Sequence, residues 1–328
     1  MSPRSDWTIK EITRIYNTPL MELIQKANQI HMDNHTPGEV QICTLLSIKT
    51  GGCTEDCAYC SQAARYSTGL KTESLLSYDK VIKSAKIAKE AGSTRFCMGA
   101  AWREVKDNRD FDKVLTMIEG VSKIGLEVCG TLGMATENQI SKMKDAGLHA
   151  YNHNIDTSED YYSDIISTHT HQDRMETLKN IRKAGVTVCS GGIIGMGETS
   201  NDRIKMLFSL ANLKKHPESV PINALVSIEG TPLEERKKVN TWDMVRMIST
   251  ARITMPKSMV RLSAGRLSMS KEAQALCFLA GANSIFSGEK LLTTPNPSIN
   301  EDQELFNILG LTPRPSHKNN LKLKNMCR

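Results

Sequence analysis

The 328-residue chain contains no run of about 18 apolar residues, the length that crosses a bilayer. Its first residues, MSPRSDWTIKEITRIY, lack the apolar stretch of a secretory signal. Both absences point to a cytoplasmic chain with no membrane partner. Nor is there a low-complexity block or a clear linker. Neither sign of charge dominates: 42 Lys and Arg against 36 Asp and Glu leave a net +6. That mild excess fits anionic small ligands and weak non-specific nucleic-acid contact equally well and decides little between them; no nucleic-acid partner is expected. With 24% charged and 39% hydrophobic residues, a mainly disordered chain is excluded. A chain this long buries roughly three quarters of its unfolded surface and needs no disulfide staples.

What the sequence does have is nine cysteines. An odd number cannot pair completely, and cytoplasmic thiols stay reduced. Each is then a small buried hydrophobe, a reactive thiol or a metal ligand.

Short apolar, β-branched runs alternate with amphipathic charged stretches. The pattern predicts strands near Val40–Ser47, Thr94–Gly99, Leu126–Leu132, His149–Ile155, Thr187–Ile194, Pro221–Ser227, Val260–Ala264 and Ser284–Ser287. Helical patterns lie between them: Tyr78–Ala91, Phe111–Ile124, Glu137–Ala146, Gln172–Ala184, Asn201–Leu213, Thr241–Thr254 and Lys271–Ala280. Four of these stop at an Ala-Gly pair, as a helix closed by a left-handed glycine does. Eight alternating units predict an α/β fold, a (β/α)8 TIM-type barrel, with an open doubly wound sheet as the alternative. Residues 1–39 read as an N-terminal helical extension with one or two helices in Thr8–His35, 40–312 as the barrel, and 313–328 as a flexible basic tail.

Directly after the first strand comes Gly51-Gly52-Cys53-Thr54-Glu55-Asp56-Cys57-Ala58-Tyr59-Cys60, a C-x3-C-x2-C spacing. Two glycines permit a tight turn there. Three thiolates within eight residues reach one small centre if the loop wraps around it. Zinc favours four ligands and paired C-x2-C knuckles, and no fourth Cys or His follows at that spacing. A 4Fe-4S cluster with three protein thiolates keeps one iron open. The spacing, with Tyr59 before the last Cys, resembles the radical S-adenosylmethionine (SAM) superfamily, in which SAM chelates that open iron.

Strand residues alternate faces. On this basis Arg95, Cys97 and Gly99 share a face; so do Asn152, Asn154 and Asp156; Cys189, Gly191 and Ile193; Asn223 and Leu225; Arg261 and Ser263. Cys129 comes from the third strand. All can point inward, where barrels normally hold branched apolar side chains. Leaving one such polar group unsatisfied costs roughly 1–3 kcal/mol, so ligands are expected to fill the cavity. Cys97, Cys129 and Cys189 with Arg261 suggest a second metal site, an odd one for zinc because Arg stays protonated.

The stretches SIKTGGCTEDCAYCSQAARYSTGL, GSTRFCMGAAW, YNHNIDTS, VCSGGIIGMGE, NALVSIEGTPL and VRLSAGR, spread from about Gln41 to Gly288, are similar to the biotin synthase family. The resemblance implies an enzyme that inserts sulfur into dethiobiotin. Cys53, Cys57 and Cys60 would hold the 4Fe-4S cluster; Cys97, Cys129, Cys189 and Arg261 would hold a 2Fe-2S cluster that donates sulfur. The cofactors would carry the chemistry, with no catalytic side chain. Tyr59, Asn154, Asp156, Gly191 and Ile193 would bind SAM, and Asn152, Asn154, Asn223 and Arg95 the substrate. A flavodoxin or ferredoxin reductant and a homodimer are also implied. For Arg95 a buried structural ion pair is the alternative. Where the family usually shows an aromatic residue before YNHN, this chain has Ala150. Cys43 and Cys277 read as core, and Cys327 as a free thiol in the tail. Two other functions stay open: a different radical SAM barrel, of the hydrogenase-cofactor maturase or methylornithine synthase type, and a non-catalytic metal-binding barrel.

Overall fold

The computed structural model describes residues 3–288 and 290–315. Two helices come first, α1 (Ile9–Tyr16) and α2 (Leu20–Asn34). The barrel follows: β1 (Glu39–Lys49), α3 (Tyr78–Glu90), β2 (Arg95–Ala100), α4 (Arg109–Ile124), β3 (Glu127–Thr131), α5 (Glu137–Asp145), β4 (Leu148–Asn152), α6 (Glu159–Ile165), α7 (His171–Lys183), β5 (Thr187–Cys189), β6 (Gly192–Ile194), α8 (Ser200–Ala211), β7 (Ser219–Ala224), α9 (Thr241–Thr254), β8 (Met259–Leu262), α10 (Lys271–Leu279) and β9 (Ser284–Phe286). Helix α11 (Ile299–Leu309) and the two-residue β10 (Thr312–Pro313) end the described chain. Every strand pairing is parallel, and β9 pairs back onto β1, which closes the ring.

The eight expected strands are all present. The fifth is broken: β5 pairs with β4 and β7, while β6 pairs with β7 alone. The break falls at Ser190-Gly191, where a Cβ on Gly191 would stand 1.9 Å from the Pro221 carbonyl oxygen. Two helices, α6 and α11, were not foreseen. Both have a serine N-cap, Ser158 and Ser298, whose hydroxyl accepts from the third helical N–H.

Alternation along the strands sets the two layers. Phe96, Met98, Val128, Tyr151, Val188, Val220, Ile222, Leu262 and Ile285 face outward into one apolar shell with Val114, Ile118, Leu178, Leu207, Val245 and Ile248 of the helices. Burying each such side chain contributes about 1.5–3 kcal/mol. Helix α1 packs on α8 and α2 on α9, so the extension is part of the barrel's outer layer. The tail begins later than expected, because Pro313 sits in register with Val40 and the Arg314 N–H donates to the Val40 carbonyl at 2.8 Å. Residues 316–328, including Cys327, lie outside the described residues.

Candidate functional site

The C-terminal end of β1 runs straight into the three-cysteine loop. Gly51 and Gly52 both have φ of 70°, a left-handed turn that costs a side-chain-bearing residue strain. The loop folds on itself: the Cys53 N–H donates to the Gln62 carbonyl at 2.9 Å, the Ala64 N–H to Cys53 at 2.8 Å, and the Cys60 N–H to Cys57 at 2.9 Å. Its carboxylates find polar partners beyond the three cysteines. Asp56 Oδ1 accepts from the Ser167 and Thr168 N–H groups at 2.9 and 3.2 Å, and Arg65 Nη1 donates to Oδ2 at 2.9 Å. Burial would raise the Asp56 carboxyl, but these hydrogen bonds outweigh it and hold it down at about 2. Glu55 meets His169 Nδ1 at 2.8 Å. His169 Nε2 in turn lies 2.9 Å from the Tyr162 hydroxyl and 2.9 Å from Arg174 Nε, and Arg174 Nη2 pairs with Asp156 at 3.1 Å. One polar chain thus connects the cysteine loop to the end of β4.

The loop roofs a cavity of about 320 Å³ inside the barrel. Cys53, Cys57, Tyr59 and Cys60 line it from the loop, and Asn152, Asn154, Asp156, Ile193 and Asn223 from the strand ends. Cys97 and Arg261 line it from deeper in the strands. Asn154 Oδ1 accepts from the Gly191 N–H at 3.2 Å, and Asn223 Nδ2 donates to the Gly192 carbonyl at 3.0 Å, so these amides also brace the broken stave. Asp156 has φ of 63°, the sole non-glycine left-handed residue among those described. Such strain costs about 1–3 kcal/mol and clusters where a ligand is clamped.

Below lie the other thiols. Cys97 and Cys129 stand opposite each other in the β2–β3 register, and Arg261 Nη1 donates to Cys189 at 3.6 Å. All three sulfurs are buried. Cys129 and Cys189 are not on the cavity wall, and neither is Gly191.

One expectation is corrected here. Arg95 does not line the cavity: its Nε and Nη2 donate to Glu127 at 3.1 and 3.0 Å in a buried pair. The alternative reading of Arg95 therefore describes its place, because the β2–β3 register sets Arg95 beside Glu127. Cys43 is core as expected, in a cluster that also holds two of the deep thiols. It packs with Cys97, Cys129 and Ala150, and Arg261 Nη2 donates to its sulfur at 3.2 Å. Burial would raise the Cys43 thiol, but the Cys97 thiol, Arg261 and Arg95 hold it near 6. Cys277 is core as expected. Arg174 and His153 also line the cavity and escaped strand alternation, Arg174 because it comes from α7 and His153 because β4 ends one residue before it.

The donors fit two sulfur-ligated centres. Burial pushes the Cys53, Cys57 and Cys60 thiols up, most for the latter two, so a cation must draw their protons off. The deep set offers sulfur and guanidinium only. His153 Nε2, buried on the cavity wall, has no hydrogen-bond partner, as expected of a group that meets a ligand. Among the described residues no three His, Cys, Asp or Glu side chains converge on a single-ion position.

Residues 47–211 match the Radical SAM superfamily, and residues 221–312 the Biotin and Thiamin Synthesis associated domain. Fold and site together define a radical SAM enzyme. Biotin synthase of Cytophaga hutchinsonii is 63% identical over 316 residues, 96% of this chain and 94% of that protein. The mitochondrial biotin synthase of Arabidopsis thaliana is 58% identical over 95% of this chain and 83% of its own length. The chain belongs to the biotin synthase family. Among solved structures, methylornithine synthase superposes with a TM-score of 0.79 at 18% identity over 94% of each chain, a likeness of fold.

Proposed function

We propose that this chain converts dethiobiotin to biotin in a cavity that holds substrate between two iron–sulfur centres. The observation that supports this reading is the order along one cavity: three loop thiols at its mouth, amides and a carboxylate at the strand ends, and Cys97 with Arg261 deeper in its wall, where Cys97 packs on the buried Cys129. Cys53, Cys57 and Cys60 would hold a 4Fe-4S cluster; Cys97, Cys129 and Cys189, with Arg261 beside them, would hold a 2Fe-2S cluster. When bound, the first supplies the electron that cleaves SAM and the second supplies sulfur, because the unactivated C–H bonds of the substrate lie beyond acid–base chemistry.

The chain's own part is to bind, orient and exclude water. Tyr59 covers the mouth of the cavity. Asn154, Asp156, Gly191 and Ile193 would hold SAM, with Asp156 fixed in its left-handed conformation by Arg174. Asn152 and Asn223 offer the paired donors and acceptors that a ureido ring requires. Arg95 is left out of the substrate set because Glu127 already occupies its guanidinium. No described helix is long and apolar enough to cross a membrane. A cytoplasmic location, a flavodoxin or ferredoxin reductant and a homodimer complete the reading.

Anaerobic reconstitution tests it. Two centres require about six irons per chain, four plus two, and the loaded protein should form biotin from dethiobiotin with 5′-deoxyadenosine. Cys189→Ala should lose both the second centre's visible absorbance and biotin formation; full biotin formation by that variant would overturn the reading.

A further inference from the structure

The first centre receives its electron from outside the chain, and electron transfer slows exponentially with distance. The donor therefore has to come close to the three-cysteine loop. Cys57 and Ala58 of that loop are buried, whereas Gly52 and Thr54, on either side of Cys53, are exposed. A groove of about 210 Å³ lies along this outer face. Gly52 and Thr54 line it from the loop, Lys49 from the end of β1, and Arg103 and Lys106 from the segment after β2. Ala101, Trp102 and Arg103 line both this groove and the inner cavity, so one short stretch of chain separates the groove from the cavity where Cys53 stands.

The groove is basic. Lys49, Arg103 and Lys106 give it three cations against the carboxylates of Glu104 and Asp110. Asp110 Oδ1 already accepts from Lys113 Nζ at 2.9 Å, and the neighbouring Asp107 pairs with Lys142 at 2.6 Å. Lys49 donates to the Gly51 carbonyl, and Arg103 Nε lies 3.6 Å from Glu55, so both cations are held beside the cysteine loop. Lys106 is exposed, and so is Arg109 just beyond it. Gly52 carries no side chain to hold a partner away from Cys53. A face of this kind fits an acidic protein: opposite charge steers the encounter and fixes orientation more than it adds affinity. Electron carriers dock in this transient way, over interfaces below about 1,200 Å².

We propose that this groove is the docking face for a small acidic one-electron carrier protein, whose carboxylates meet Lys49, Arg103 and Lys106, with Trp102 lying between the carrier and the cavity. The proposal rests on the reading above for the first centre alone. The carrier loses one electron and the centre gains one; no proton or group is exchanged. Because the face is outside the cavity, the carrier can dock while the cavity is filled, so reduction does not compete with substrate binding.

Oxidised flavodoxin, an acidic carrier, titrated calorimetrically into the chain at low salt tests this without turnover. Lys106→Glu should weaken its binding about tenfold and Glu104→Lys should tighten it. Both effects should vanish near 1 M salt, where the Debye length is about 3 Å. Lys214→Glu makes the same charge change at the opposite end of the barrel, in the exposed turn before β7, and should bind like the parent. Formation of 5′-deoxyadenosine by the reconstituted proteins separates docking from chemistry. With dithionite as reductant all variants should match the parent; with limiting reduced flavodoxin, Lys106→Glu should be about tenfold slower. Parent-like flavodoxin binding in both Lys106→Glu and Glu104→Lys overturns the proposal, as does equal weakening by Lys214→Glu. Altered self-association of Lys106→Glu in place of altered flavodoxin binding assigns the groove to a second copy of the chain and overturns it too. If the parent forms no 5′-deoxyadenosine even with dithionite, the reading of the first centre fails, while the titration still decides the docking face.

Discussion

Arg95 offers a sharp quantitative test, because two roles for it predict opposite behaviour. Its Nε and Nη2 both donate to one oxygen of Glu127, and each side chain is less than a tenth exposed. Removing one partner of such a pair leaves a buried charge and costs about 3–5 kcal/mol. In Arg95→Met, Glu127 still has Gln41 Nε2 at 3.3 Å and His149 Nε2 at 4.0 Å among its neighbours. Their presence puts the cost at the lower end, about 3 kcal/mol. At about 2 °C per kcal/mol for a chain of this size, Tm should fall by about 6 °C.

The double variant Arg95→Met/Glu127→Met removes both charges and replaces them with apolar bulk. Such exchanges are close to neutral, so stability should return to within about 1 kcal/mol of the parent. Anaerobic thermal unfolding of the four proteins of the cycle measures this. The KM for dethiobiotin in the double variant supplies the second readout, and it should stay within about threefold of the parent. A double variant as unstable as Arg95→Met refutes the structural pair. One that recovers its stability but loses dethiobiotin affinity more than tenfold returns Arg95 to the substrate.

Two further outcomes follow from local geometry. Gly191→Ala drives a Cβ to 1.9 Å from the Pro221 carbonyl oxygen, where neither backbone can yield; it should cost at least about 3 kcal/mol and weaken SAM binding through Asn154, and a variant with the parent's Tm refutes the close approach. His31 and His35 are depressed from the usual 6.5 to about 4 and about 3, by burial first and by Arg252 beyond it. The unfolded chain therefore binds more protons than the folded one once pH drops below about 6.5, so stability is complete above that pH and declines as pH falls toward about 4 and 3. His31→Gln should flatten this decline in urea midpoints taken from pH 7 to pH 5, and an unchanged slope rules out the His31 contribution.

The strand and helix order was readable because each stave is an apolar run of period two and each helix carries its own stop signal. Helix α6 was missed because Glu159–Ile165 is only seven residues, too short for periodicity to register, and α11 because it follows the eighth strand, where the eightfold alternation has already closed. The mouth of the site was readable as well, since Cys53, Cys57 and Cys60 are close in sequence. The place of Cys43 beside Cys97 was missed for a narrower reason. Alternation was applied to the strands that carried several polar residues, and in β1 the same parity joins Gln41, Cys43, Leu45 and Ser47. Applied there, it would have aimed Cys43 inward with Cys97. Glu127 shows the limit of reading strands singly: Arg95 does meet a carboxylate, but the one supplied by the neighbouring strand, and that pairing depends on register.

Two buried arginines show what the floor of the barrel is shaped for. Arg252 is fully buried with no acidic partner among the described residues, and it is satisfied by the Gly281, Pro256 and Ser258 carbonyls and by Asn283 Oδ1. That is a closed, neutral solution, and burial drags its pKa down to about 9. Arg261 is equally buried, yet its hydrogen bonds go to one hydroxyl and two sulfurs, and among the described residues no carboxylate pairs with it. Its pKa moves the other way: burial opposes the charge, and the neighbouring Cys43, Cys189 and Cys97 sulfurs outweigh that and raise it. A buried cation costs several kcal/mol unless an anion answers it. Here sulfur atoms stand where that anion would be. A fold selected for stability would place carbonyls there, as it does around Arg252, so the floor around Arg261 is built to receive negative sulfur, and a thiolate-ligated iron centre meets that requirement where an apolar core or a neutral ligand does not.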